Sequence, residues 1–273
     1  MGRSSLRLVS VGESTLDHYV DLQTRYVGGI SLNFAVQSKR SGAEKVALVS
    51  RVGEDQDGRV QQVLAREGVD ISHLKTMHGK TARQDILLTW NGERVFPPGG
   101  YDPGVLENFK LNEEEMSFVQ SHDVIASGLF KQVEPLFEQM MEMESFEGWR
   151  VADFLDLSDY GHDIGIIERF SKRLKIAFVS GDKRLLEGLR TLSKSSDCLI
   201  VVTLGKHGSA ALIKGESVYQ ASLPVENILD STGCGDAFQA AFTVSYWRDT
   251  DVQRALSNGA QQAAGVLQHY GAI

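Results

Sequence analysis

The chain has 273 residues, with 28 Lys and Arg against 36 Asp and Glu, a formal charge of −8, and 42% hydrophobic residues. That apolar content builds a substantial core and excludes a disordered chain, while the acidic balance offers no broad cationic surface for duplex DNA or an anionic membrane. Two cysteines, Cys198 and Cys234, with no C-x-x-C and no zinc spacing, exclude a disulfide scaffold and point to a reduced compartment, by default the cytoplasm.

No apolar stretch approaches the roughly 18 residues that span a bilayer. Residues 1–6 lack the apolar centre of a signal peptide, and Leu6 stands where lipidation of Gly2 requires Ser or Thr. In chain order, β-rich runs at 6–11, 45–49, 123–126, 150–154, 175–179 and 198–203 alternate with segments of helical period, the pattern of a parallel α/β fold. One region breaks the rhythm. Residues 81–90 read as a strand, Asn91-Gly92 as a tight turn and 93–96 as the return strand, and residues 17–27 also lack a helical period. These segments predict a small projecting sheet, a lid or a dimer contact. Asn112 with Glu115 has capping-box spacing, so Glu113 to Glu115 read as a solvated helix start. Val133, Leu136, Phe137, Met140 and Met141 form an apolar helical stripe. Thr250 with Gln253 opens a last helix that stays apolar on one face through to Gln268, and the chain ends on it. No repeat or composition break divides the chain.

The chemistry concentrates in Asp230-Ser231-Thr232-Gly233-Cys234-Gly235-Asp236, followed by small and apolar residues at helical spacing. Glycines let the backbone approach a ligand closely, and successive N–H groups at a helix start cradle an anion. Asp236, in the first turn, is expected to stay ionised and to serve as a general base in phosphoryl transfer. A helix that merely starts with an Asp accounts for the same seven residues. Gly28-Gly29 precede Asn33, which can grip a polyol, and Asp17 follows the first strand, where α/β proteins place ligand groups. Read alone, Asn33 is equally a helix cap and Asp17 a turn residue. Thr203-Leu204-Gly205-Lys206-His207-Gly208 fits a nucleotide against backbone or a plain β-turn. The seven histidines show no metal-ligand spacing and read as surface or packing residues.

Gly28-Gly29 with Asn33, then Arg51-Val52-Gly53-Glu54-Asp55 with Asp57-Gly58, then Thr203-Leu204-Gly205, then Asp230 to Asp236, together resemble the PfkB, or ribokinase-like, family of sugar kinases over almost the whole chain. Within it, residues 64–73, the 91–96 hairpin and the ending His269-Tyr270-Gly271-Ala272 most resemble the bacterial fructoselysine 6-kinase branch. The resemblance implies one Rossmann-type α/β domain over 1–273, with a mostly parallel central sheet and a small β-lid from strands within 17–27 and 81–96. It further implies ATP as donor, Mg²⁺ bridging the phosphates, a homodimer through the lid, and a fructose-like sugar, fructoselysine or a related fructosamine, phosphorylated at its 6-hydroxyl. In its terms Asp236 is the catalytic base and Gly233, Cys234 and Gly235 form the anion hole, with Cys234 standing where alanine is usual. Asp17, Gly28, Gly29 and Asn33 contact the sugar, and Arg94 the substrate or its phosphate. Thr203, Gly205 and Gly208 face the nucleotide, with Asn258 near its base. The chain departs from the family at Ser180-Gly181-Asp182-Lys183, where many members carry an Asn-x-x-Glu that organises the magnesium's waters. Asp182 and Glu187 are the available substitutes, and no metal ligand is assigned. Another furanose, a nucleoside, or a catalytically weak sugar sensor are the competing readings. A nicotinamide-linked dehydrogenase is set aside, since Val11-Gly12-Glu13-Ser14-Thr15 supplies no G-x-G-x-x-G.

Overall fold

The computed structural model describes residues 5–273, so most of the stretch read for a signal peptide, and Gly2 with it, lies outside the described residues. The chain opens with β1 (Arg7–Val11), turns through β2 (Thr15–Tyr19) and β3 (Thr24–Gly28), and enters α1 (Ile30–Arg40). It continues as β4 (Lys45–Gly53), α2 (Arg59–Arg66) and β5 (Leu74–Met77), then β6 (Ala82–Leu88), β7 (Arg94–Val95) and β8 (Tyr101–Asp102). Regular alternation follows through α3 (Glu113–Gln120), β9 (Val124–Gly128), α4 (Glu134–Met141), β10 (Trp149–Asp153), α5 (Gly165–Ser171), β11 (Ile176–Ser180), α6 (Leu185–Lys194) and β12 (Leu199–Thr203). Two more strands, β13 (Ser209–Ile213) and β14 (Glu216–Gln220), precede α7 (Cys234–Asp249) and α8 (Val252–Val266).

The main sheet has the order β14-β13-β12-β11-β10-β9-β1-β4-β5 and is parallel except where β13 and β14 add an antiparallel edge. Its strands are apolar on both faces because both are covered. Ile176 and Phe178 pack with Leu32 of α1, Phe242 of α7 and Leu256 of α8, while Ala177 and Val179 pack with Phe137 of α4 and Leu189 of α6. A second sheet, β3-β2-β6-β7 with β8 on β6, stands apart. The hairpin read from Asn91-Gly92 is part of it: β6 and β7 pair antiparallel, and Thr89 N donates to Glu93 O across the turn.

Three expectations are corrected. Glu115 is not solvated. It closes the predicted capping box with Asn112, but α3 packs on the sheet and buries its carboxylate, where Arg51 and Lys75 approach to 2.6 and 2.8 Å. Burial alone would push Glu115 upward, yet the hydrogen bonds from Lys75, Asn112 N and Arg51 outweigh it and hold the carboxyl below its usual range. Second, α8 is capped one residue later than expected: Asp251 accepts from Arg254 N, because Thr250 is taken up in the left-handed C-cap of α7. Third, the chain does not end on α8. After Val266 it turns back, and Gln37 Nε2 donates to Ala272 O at 2.9 Å.

Replacing Arg51 with Ala leaves a buried carboxylate with one cation. The expected cost is about 3 kcal/mol, read from urea unfolding at unchanged m-value; a loss below about 1 kcal/mol would show the pair to be of the weak, solvent-exposed kind.

Candidate active site

The parallel strands present their carboxyl ends to one edge, and a cavity of about 340 Å³ opens there beneath the second sheet. Its wall includes Glu13 after β1, Phe130 after β9, Asp153 ending β10 and Ser180 ending β11, with Asp17, Gln84 and Arg94 from the second sheet.

Asp236 is placed by α7. Gly233 is the N-cap at φ +78°, and a Cβ there would lie 2.3 Å from Ala272 Cβ, so the returning chain end fixes glycine at this turn. From Ala237 to Tyr246 the helix is buried, which drives its first turn against the cavity. No side chain caps it: Cys234 N donates to Ser231 O at 3.4 Å, the next two N–H groups, of Gly235 and Asp236, are available to an anion, and a Cβ on Gly235 would meet nothing within 4 Å. Asn33, buried on α1, donates from Nδ2 to Asp236 Oδ2 at 2.8 Å.

The expectation of a fully ionised Asp236 does not hold. Burial raises its pKa from 3.8 to about 7; the Asn33 hydrogen bond opposes the rise, and the Asp153 charge adds to it. The helix dipole favours the anion by less than desolvation disfavours it. Asp17 is raised to about 7 by the same burial, against a hydrogen bond from Thr15 Oγ1 at 2.6 Å. A Cβ on Gly28 would fall 2.1 Å from Asp17 Oδ2, so the carboxylate fills the space over that glycine. Gly29, at φ +104°, opens α1 without a side-chain cap, and the N–H of Ile30 beyond it donates to Glu13 Oε2 at 3.1 Å.

Arg94 reaches the cavity from β7. Its backbone N donates to Ser231 Oγ and its Nη1 to Ser231 O, at 2.9 and 3.0 Å, which ties the second sheet to the loop before α7. Buried Asp230 secures the same loop, accepting from Tyr19 Oη, Thr232 N and Gly271 N. The residues read for a nucleotide do not line the cavity. Thr203 lies beside it, 3.1 Å through Oγ1 from Ser180 Oγ; Gly205 follows in an open turn, Gly208 packs its backbone against β14, and Asn258 donates to Ser245 Oγ. Glu13 and Asp153 were given no role in the sequence reading. Their position immediately after β1 and at the end of β10 is the signal that finds them.

The residues present do not form a magnesium cage. Among the described residues no three His, Cys, Asp or Glu side chains converge as metal ligands, and Asp182 and Glu187 are held by Arg184 and Arg190.

The pfkB family carbohydrate kinase model matches residues 5–151 and 175–273. The chain belongs to the pfkB family of carbohydrate kinases. As a pfkB kinase it is an ATP-dependent sugar kinase. It is 31% identical to a fructoselysine 6-kinase of Escherichia coli (strain K12) over 269 residues, covering 97% of this chain and 98% of that protein. It is 28% identical to a fructosamine kinase of Bacillus subtilis (strain 168), covering 98% and 93%. In fold it is similar to the ribokinase of Arabidopsis thaliana complexed with ribose and ATP, with a TM-score of 0.78 at 18% identity, covering 98% of this chain and 94% of that one.

Two outcomes test this site in the pfkB kinase. Gly28→Ala should displace the Asp17 carboxylate and weaken sugar binding by about tenfold or more in calorimetry, while unaltered binding would separate Asp17 from the sugar. The folded state holds the Asp236 proton more tightly than the unfolded chain does, so stability falls as pH rises from about 4 toward 7. Asp236→Asn should therefore raise the melting temperature at pH 8 by several degrees, about 4 °C or more, with the gain shrinking toward pH 5.

Proposed function

We propose that this kinase transfers the γ-phosphoryl group of ATP to the 6-hydroxyl of a fructose-like ketosugar, fructoselysine or a related fructosamine. The observation that carries the chemistry is Asp236, held by Asn33 at 2.8 Å in a cavity that brings its pKa to about 7. A base with that pKa accepts the hydroxyl proton at neutral pH without being too weak to take it. The backbone N–H groups of Gly233, Cys234 and Gly235 then bind the charge that develops on the moving phosphoryl group. Because these donors are backbone groups, cysteine serves in place of alanine.

Asp17, Asn33 and the backbone at Gly28 and Gly29 hold the sugar hydroxyls, and Arg94 faces the substrate from the lid formed by the second sheet. In this reading Thr203, Gly205 and Gly208 face the nucleotide, Thr203 standing beside Ser180 of the cavity wall, and Asn258 on α8 serves its base. Mg²⁺ enters as the counter-ion carried by ATP, with no protein step assigned to it. The relatives acting on fructoselysine and fructosamines support the substrate. Exposed Trp90, Phe96, Val95, Val20 and Leu22 on the second sheet and its turn support a homodimer formed through the lid. The acidic, cysteine-poor composition suits the cytoplasm.

ADP release measured against a panel of fructosamines, fructose and nucleosides, with mass spectrometry of the products, tests the substrate. A 6-phosphate of a fructosamine is expected, and turnover confined to nucleosides would reject it. Asp236→Asn should lower kcat by roughly 10² to 10⁴-fold with the fold retained. For the wild type, kcat/KM should rise about tenfold per pH unit below the pKa and level off above it, a break set near pH 7 by Asp236.

A further inference from the structure

Of the described residues, six carboxylates line the cavity, those of Glu13, Asp17, Asp153, Asp156, Asp159 and Asp236, against one guanidinium, that of Arg94. Among the described residues none of the six stands in an ion pair. Their hydrogen bonds come from neutral donors, such as Ile30 N to Glu13, Thr15 Oγ1 to Asp17, Leu155 N to Asp153 and Asn33 Nδ2 to Asp236. Glu115 differs from them: two cations reach its buried carboxylate and its pKa is lowered, whereas burial raises Glu13, Asp17, Asp153 and Asp236. An independent sign of a ligand is Asn33 Oδ1, on a side chain only 4% exposed, which belongs to the cavity wall and meets no donor. The wall is thus complementary to a molecule that brings hydrogen-bond donors and positive charge. Among the described residues no three ligands converge to hold a divalent ion, and ATP with its magnesium is itself an anion, which leaves the sugar as the carrier of that charge.

Sheet order says where on the sugar it lies. From the proposed nucleotide side the strands run β12, β11, β10, β9, β1 at about 4.8 Å spacing, so Glu13, just beyond β1, stands at the end away from the nucleotide. A ketohexose with its 6-hydroxyl at Asp236 directs its first carbon toward that end. Glu13 is buried and bonded through Oε2 to Ile30 N, and a carboxylate retains acceptor capacity for a further donor.

We propose that Glu13 selects a protonated amine on the first carbon of the sugar, so that the enzyme discriminates cationic aminosugars from neutral ketosugars of the same shape. The inference rests on the kinase reading above for the orientation of the sugar. Its test compares 1-deoxy-1-(propylamino)fructose, protonated at neutral pH, with 1-O-propylfructose, which places an ether oxygen where the amine stands. Affinity is measured by calorimetry without ATP, and kcat/KM by ADP release. Wild type should prefer the amine by roughly 10- to 100-fold in both measurements. Glu13→Gln should remove most of that preference. Because Glu13 also holds the first N–H of α1, Glu13→Asp provides a second variant that keeps the charge and draws it back; it should lower the ratio as well. A structural role alone would weaken both ligands and leave their ratio unchanged. A wild-type ratio near one, or the same ratio in every folded variant, overturns the proposal. If calorimetry shows the preference but neither sugar is phosphorylated, the charge selection stands and the substrate reading falls; brisk and equal phosphorylation of both gives the reverse.

Discussion

The hydrogen bond from Asn33 to Asp236 joins residues 203 positions apart, and the active-site arrangement depends on it. It forms because β1 lies inside the sheet, between β9 and β4, so that α1 and α7 come to pack side by side on one face. Glycines at the two helix starts then let the chain turn where a Cβ would collide, with Ser14 and Thr15 at Gly29 and with Ala272 at Gly233. Asn33 and Asp236 are therefore brought together by core packing, and the ends of α1 and α7 that carry them are held by helices buried along most of their length.

The same fold treats its carboxylates in two opposite ways. Glu115 is pinned by cations and anchors α3 to β4 and β5, whereas Glu13, Asp17, Asp153 and Asp236 are desolvated with neutral donors only. That difference holds Glu115 below the usual carboxylate range and raises Glu13, Asp17, Asp153 and Asp236 above it. On a chain of net charge −8, this cavity is itself acidic, and among the described residues Arg94 is the one guanidinium in its wall.

Much of the fold was legible in the sequence because its signals are local. The Asn91-Gly92 hairpin, the Asn112 capping box and the apolar stripe of α4 each follow from short-range spacing. The edge strands β13 and β14 were not read, although Lys214-Gly215 between them, both at positive φ, is a two-residue turn signal. The ionisation of Asp236 and the pairing of Glu115 were misjudged for one reason: each depends on desolvation and on partners distant in sequence, Asn33 and Asp153 in one case, Arg51 and Lys75 in the other. The motif residues 230–236 pointed to the cradle, but what makes room for it, the chain end returning over Gly233, lies beyond any local pattern.

A double-mutant cycle on Asn33→Ala and Asp236→Asn, read as kcat at saturating sugar, tests most directly whether the Asn33 contact serves the base. Asn33→Ala should slow the wild-type enzyme by about tenfold or more and have almost no further effect once Asp236 is Asn. Losses that simply add would show that the two residues act separately, and that the bond between them does not position the base.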